Sequence, residues 1–153
     1  MKRAGVQDGL WQYLLPQNEA DVLAGLLKKL PFTQLDPVKI SRTDPHPKAR
    51  EREKLLNEAL AEHRKELQRS AQNLVRPDKF KRQPDGLLLT LSPEERETLL
   101  QILNDIRVGC WRALGEPEEL HTDQSPTSGH DLAYRNLMDL AGYFEGSLIV
   151  TES

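Results

Sequence analysis

From Lys48 to Val75 the chain holds neither glycine nor proline. Uninterrupted, that stretch of 28 residues is one helix of about 42 Å, longer than any other its sequence encodes. Leu56, Leu60, His63, Leu67, Ala71 and Leu74 recur along it in steps of three and four, and the remaining positions are mostly Glu, Lys, Arg and Gln. A rod of this length constrains everything around it. The shorter helices cannot cover all of it, so the rod kinks back, or the 31–47 loop covers it, or a second copy of the chain does. The absence of Gly and Pro disfavours a sharp kink, and a homodimer is expected.

The other segments are shorter. Asp8-Gly9 opens a β-like run over 10–15, which alternates Leu10, Gln12 and Leu14 against Trp11, Tyr13 and Leu15. A helix is predicted over 18–30, with Asn18 at its N-cap, Val22, Leu23, Leu26, Leu27 and Leu30 as its stripe, and Pro31 as its stop. Four prolines make 31–47 a loop, and Asp44-Pro45 resembles a helix start. Arg76–Pro84 reads as a basic linker, followed by a second β-like run over 87–91. Ser92-Pro93-Glu94-Glu95 is a strong start for a helix over 93–114, with Gly115 placed to terminate it. A last helix is expected over 131–148, with Ala133, Leu137, Leu140, Ala141, Phe144 and Leu148 inward.

Composition favours helix over sheet, with 26 Leu against 8 aromatic residues. The expectation is a mainly α domain spanning 1–153: a four-helix, bundle-like fold with one small two-stranded β-ribbon. The ribbon has a sequence rationale. Asp8-Gly9-Leu10, Leu14 and Pro16 recur as Asp85-Gly86-Leu87, Leu91 and Pro93, an offset of 77, and Val22, Leu23 and Leu26 match Leu99, Leu100 and Leu103. Two halves of that kind would pair their strands and satisfy backbone groups that one strand leaves open.

Charge is segregated. Residues 1–38 are neutral, 39–83 carry net +6 and 84–153 net −9, which sum to −3. Either the basic and acidic helices neutralise each other, or the basic segment forms a face for an anionic partner. In the second case Lys79, Phe80, Lys81 and Arg82 are the candidate nucleic-acid contacts, through phosphates and one stacked base. No helix-turn-helix spacing accompanies them.

Catalytic signatures are lacking. The sequence contains no Gly-x-Ser-x-Gly, no Walker loop and no Gly-x-Gly-x-x-Gly. Cys110, the single cysteine, has no His or Asp at a recognisable spacing and reads as a small core residue. His63 lies on an apolar stripe and reads as a core or border histidine. Glu118, His121, Asp123 and His130 share a loop without a fixed ligand spacing, so no metal and no cofactor is expected. There is no apolar run of about 18 residues to span a membrane. Met1–Val6 carries no apolar leader, and the expected location is the cytoplasm.

Asn104, Asp105 and Arg107 are the most distinctive polar residues. Asn104, Arg107 and Trp111 fall along one line of a helix, and Arg107 borders the apolar stripe. Its charge should meet a carboxylate of the last helix, Asp139 or Glu145. The arrangement is either a structural ion pair or the edge of a polar pocket.

Leu103-Asn104-Asp105-Ile106-Arg107-Val108, with Leu114-Gly115 after it, resembles the Leu-Asn-Asp-Leu-Arg-Leu core of an uncharacterised bacterial family, domain of unknown function number two thousand and seventeen. Leu89-Thr90-Leu91-Ser92-Pro93-Glu94-Glu95 and Leu140–Leu148 fit the same pattern, so the specific match lies mainly in residues 89–148. One departure is Leu140, near which the family tends to carry tryptophan. The resemblance implies a helical protein. Members often sit beside the adaptor of the Clp protease in genomes, which implies a link to regulated proteolysis. Together these readings predict a non-enzymatic protein-interaction or regulatory protein, homodimeric through the 48–75 helix. A nucleic-acid-binding regulator using the basic 39–83 segment is the alternative.

Overall fold

The computed structural model describes residues 1–28, 47–116 and 129–150. Their order is β1 (Lys2–Gln7), β2 (Leu10–Leu15), α1 (Gln17–Leu27), α2 (Pro47–Leu74), a 3₁₀ turn (Pro77–Lys79), β3 (Phe80–Gln83), β4 (Gly86–Leu91), α3 (Pro93–Ala113) and α4 (Gly129–Ile149). The architecture is α+β, a four-stranded antiparallel sheet in the order β1-β2-β4-β3 with the helices, and not the expected all-α bundle with a ribbon.

The two sequence-visible runs do pair, from Trp11↔Leu91 to Leu15↔Leu87, but as the centre of that sheet. Each carries a hairpin partner that alternation does not reveal. Lys2–Gln7 has one large apolar side chain, Val6, and Phe80–Gln83 belongs to the segment read as a basic linker. Both are edge strands. They are held by ladder bonds to an apolar neighbour and need no buried face of their own.

Burial follows the pleat. Tyr13 and Leu15 of β2 and Leu89 and Leu91 of β4 point into the core, against Leu23, Leu26 and Leu27 of α1 and Leu99, Ile102, Leu103 and Ile106 of α3. Ala141, Phe144 and Leu148 of α4 and Leu67, Ala71 and Leu74 of α2 complete it. On α4 the expected inward residues Ala133 and Leu140 are exposed. On α2 the stripe is buried only toward the C-terminal end. Leu56 and His63 are exposed and Leu60 is half-buried, so His63 is no core histidine.

The halves repeat, with a spacing one residue shorter than the sequence echo. Tyr13 faces Leu89, 76 positions on, at the centre of the β2–β4 ladder. At the same offset Val6↔Trp11 corresponds to Arg82↔Leu87, and Gln7↔Leu10 to Gln83↔Gly86. The first helices start at Gln17 and Pro93, and their buried residues Leu23, Leu26 and Leu27 correspond to Leu99, Ile102 and Leu103. A local dyad through Tyr13 and Leu89 must keep each side chain on its own face, so the spacing must be even. The echo at 77 therefore follows the Asp-Gly pairs and not the core. Asp8-Gly9 is the turn of the first hairpin, with φ of 54° and 77°, whereas Gly86 already lies in β4.

Helix starts follow local chemistry. Ser92 accepts from the Glu95 amide at 3.1 Å and Glu95 accepts from the Ser92 amide at 3.0 Å, a full capping box. Gly115, with φ 87°, closes α3. Helix α1 starts one residue before the expected Asn18, with Pro16 at the cap position and no side-chain cap. The expected stretch 29–30 of that helix, the Asp44-Pro45 start and the Glu118, His121 and Asp123 set lie outside the described residues, as does the His130 side chain.

Candidate functional site

Helices α3 and α4 form the closest helix pair. Across it Arg107 donates to Glu145 Oε2 at 2.8 Å, the pairing expected from the sequence, with Glu145 and not Asp139 as the partner. Glu145 follows Ala141 by one turn and sits beside Phe144 and Leu148 on the buried side of α4, and its exposure is only 9%. Asp139 is on the exposed side. The guanidinium reaches Glu145 by running past Gly142, where an added Cβ would lie 3.8 Å from Arg107 Nε. Glu145 Oε1 has no hydrogen-bond partner among the described residues.

The other polar residues singled out in the sequence do not converge on this pair. Asn104 and Asp105 are exposed, and Trp111 is half-buried. Although Asp105 is exposed, the partial desolvation it meets pushes its carboxyl above the ordinary range, and the charge of nearby His63 on α2 partly offsets that. Cys110 is fully buried, and burial pushes its thiol up to about 11, so it stays a neutral thiol at neutral pH. The one guanidinium holding this one carboxylate ties α3 to α4. Among the described residues no group of three or more His, Cys, Asp or Glu could hold a metal ion. Among them, too, no helix is long and apolar enough to cross a membrane.

A second cluster was not singled out from the sequence. Trp11 lies between Arg3 at 4.8 Å and Arg96 at 4.3 Å from its ring centroid. Arg96 also donates to Tyr13 Oη at 3.0 Å and to the Leu148 carbonyl at 2.7 Å, which places a cation on the C-terminal turn of α4. It fastens β2, α3 and α4 together. Glu19 of α1 plays a similar part, accepting from Tyr143 Oη of α4 at 2.9 Å and from the Met1 ammonium.

The basic candidates divide. Lys79 is paired with Glu95 at the start of α3, and Phe80 packs against the core. Lys81 and Arg82 are exposed on the β3 edge. The segment is a strand with its aromatic turned inward, so Phe80 offers no free ring for a base to stack on.

Among the described residues the most exposed large hydrophobic side chain is Leu55 of α2. Lys79 contacts Glu95, and His63 lies by Asp105 further along α3, so the two helices run antiparallel. At equal rise, the last residue of α3, Ala113, is level with Leu55 to about one turn, and roughly eight residues of α2 project past it. Leu55 is 65% exposed and Leu56 42%. The sequence signal was present: Leu55 stands one residue off the stripe, about 100° round the helix, on a face otherwise polar.

Compared with models of protein families, with curated proteins and with solved structures, the chain matches none.

Proposed function

We propose that this chain is a non-enzymatic interaction protein with a regulatory role, and that the projecting arm of α2 is its docking element. One observation carries the reading: near the N-terminal end of α2, Leu55 is 65% exposed and Leu56 42%. Isolated exposed leucines are ordinary on a protein surface. Two adjacent ones on one helix form an apolar contact that a partner would meet. The resemblance of residues 89–148 to the family named above links this role to regulated proteolysis.

A nucleic-acid partner fits less well, because Lys79 and Phe80 are engaged within the fold. DNA retention that falls steeply with salt would reinstate it.

The test is site-specific photo-cross-linking in the cells that make the protein. A photoreactive residue at Leu55 should give discrete covalent adducts, while the same residue at exposed Asp21 on α1 should give none. Identical patterns at the two sites would end the reading.

A further inference from the structure

We infer that the outer edge of β1 and the groove next to it take up an extended, acidic peptide segment of another protein, which adds a further strand to the sheet. This site is separate from the α2 arm.

The backbone calls for a strand. β1 stands at one end of the order β1-β2-β4-β3, so one side of it has no neighbour in the sheet. Asp8-Gly9 is a two-residue turn, which makes Gln7 and Leu10 the hydrogen-bonded pair that closes the hairpin. The next pair, Val6↔Trp11, is then a non-bonded one, and Val6 turns its N–H and C=O away from β2. On β2 the same alternation gives the backbone groups of Tyr13, two residues beyond Trp11, to β4. Arg3, which pairs with Tyr13, therefore also points its N–H and C=O outward. An incoming strand meets donors and acceptors at both places.

The side chains say which kind of strand. Next to this edge a groove of about 630 Å³ lies between Lys2 and Arg3 of β1 and the outer side of α4. Its α4 wall carries Gly142 and Gly146 one turn apart, together with exposed Tyr143 and Val150. A Cβ built on Gly146 would meet nothing within 4 Å, so the wall is open where a side chain of the new strand enters. Lys2 and Arg3 line the groove, and among the described residues no carboxylate does. Glu19, held by Tyr143 at the groove's border, accepts from the Met1 ammonium, which offsets its charge. Acidic side chains on the segment match Lys2 and Arg3, and apolar ones between them match Tyr143 and Val150. The register shift between Arg3 and Gly5 marks a bulge, and a bulge beside a lysine discourages long sheet-to-sheet pairing. The occupant is therefore short. A second copy, bringing another Lys2 and Arg3 to the edge, does not match its charge.

Selection of a phage-displayed random-peptide library on the purified full chain, with synthesis of the recovered peptides, tests this. They should be rich in Asp and Glu alternating with apolar residues. On binding, the Val6 and Arg3 amides should exchange more slowly in hydrogen–deuterium NMR. Methylating every second backbone nitrogen of a peptide should abolish binding in one phase and spare it in the other, since only alternate amides face β1. Gly146→Leu should abolish binding with an unchanged circular dichroism spectrum, and Lys2→Glu should weaken it about fivefold. Recovery of no acidic peptide, or binders that leave the Val6 amide unprotected, overturns the inference. Binders indifferent to Gly146→Leu overturn it as well. Peptides that protect the amides around Leu55 instead would support the α2 arm as a docking element and still overturn strand addition.

Discussion

Arg107 and Glu145 are unequal partners, and their inequality predicts how each responds to substitution. The Arg107 side chain is 45% exposed and that of Glu145 only 12%. Removing the arginine strands a carboxylate that is already short of one partner at Oε1. Arg107→Ala should therefore cost about 2 kcal/mol, below the 3–5 kcal/mol of a fully buried pair because water still reaches the guanidinium. The double change Arg107→Met with Glu145→Met should recover most of that loss in urea denaturation. A loss below about 0.5 kcal/mol for Arg107→Ala would show that the pair holds nothing. The carboxylate was legible in the sequence up to a choice of two, and geometry decides it: Glu145 lies one turn beyond Ala141, on the buried side, and Asp139 does not. Asp105 behaves in the opposite sense. Its folded value is raised above the ordinary 3.8, so its ionised form costs stability at neutral pH, and the cost is relieved as pH falls through the raised value. Asp105→Asn should accordingly stabilise the protein at neutral pH. The advantage should vanish in acid, and a constant difference across the pH range would contradict burial as its source.

At the scale of elements, the starts and stops written in local chemistry are readable, and so is the central pairing of 10–15 with 87–91, but the outer pairings are not. The capping box at Ser92 and Glu95 needs only neighbouring residues, so four letters predict it, and Ser92→Ala should lower stability by about 1 kcal/mol. Burial alone would raise the Glu95 carboxyl, but hydrogen bonds from Lys79 and Ser92 outweigh that and hold it below 4.5. Its contribution is present above the ordinary value and lost as pH falls through the lowered one. Strands β1 and β3 were missed because an edge strand takes its order from its neighbour, and nothing in Lys2–Gln7 or Phe80–Gln83 announces that neighbour. Gly86 lies close against the backbone at the end of β2. An added Cβ there would lie 2.5 Å from the Leu15 carbonyl oxygen, and its φ is 142°. Backbone cannot yield as a flexible side chain does. Gly86→Ala should cost at least 1–3 kcal/mol, whereas Gly25→Ala, in helix α1 with open space around it, should be neutral or mildly stabilising. Equal melting temperatures for the two variants would refute the distinction.

For the whole molecule, the repeat explains both what sequence reading reached and where it stopped. Each half is a hairpin and two helices, and β2 and β4 join the halves across a dyad through Tyr13 and Leu89. The apolar central strands of both halves stand out in the sequence and make the joining ladder predictable, while the polar outer strands do not, so the sequence points to a ribbon where the structure has a sheet. The symmetry ends beyond the core. Helix α1 has 11 residues against 21 in α3, and α2 packs on α3 more than on α1. A long helix joined to the body at one end must be unevenly stable along its length. The amides from Leu67 to Leu74 sit over buried side chains and open only with the core, whereas those before Leu56 open locally. Hydrogen exchange on the full chain should therefore show protection climbing along α2 toward its C-terminal end, with the slowest amides there matching those of β2 and β4. Uniform protection along α2 at low concentration would mean the arm is covered within one chain, and the projecting-arm reading would fall with it.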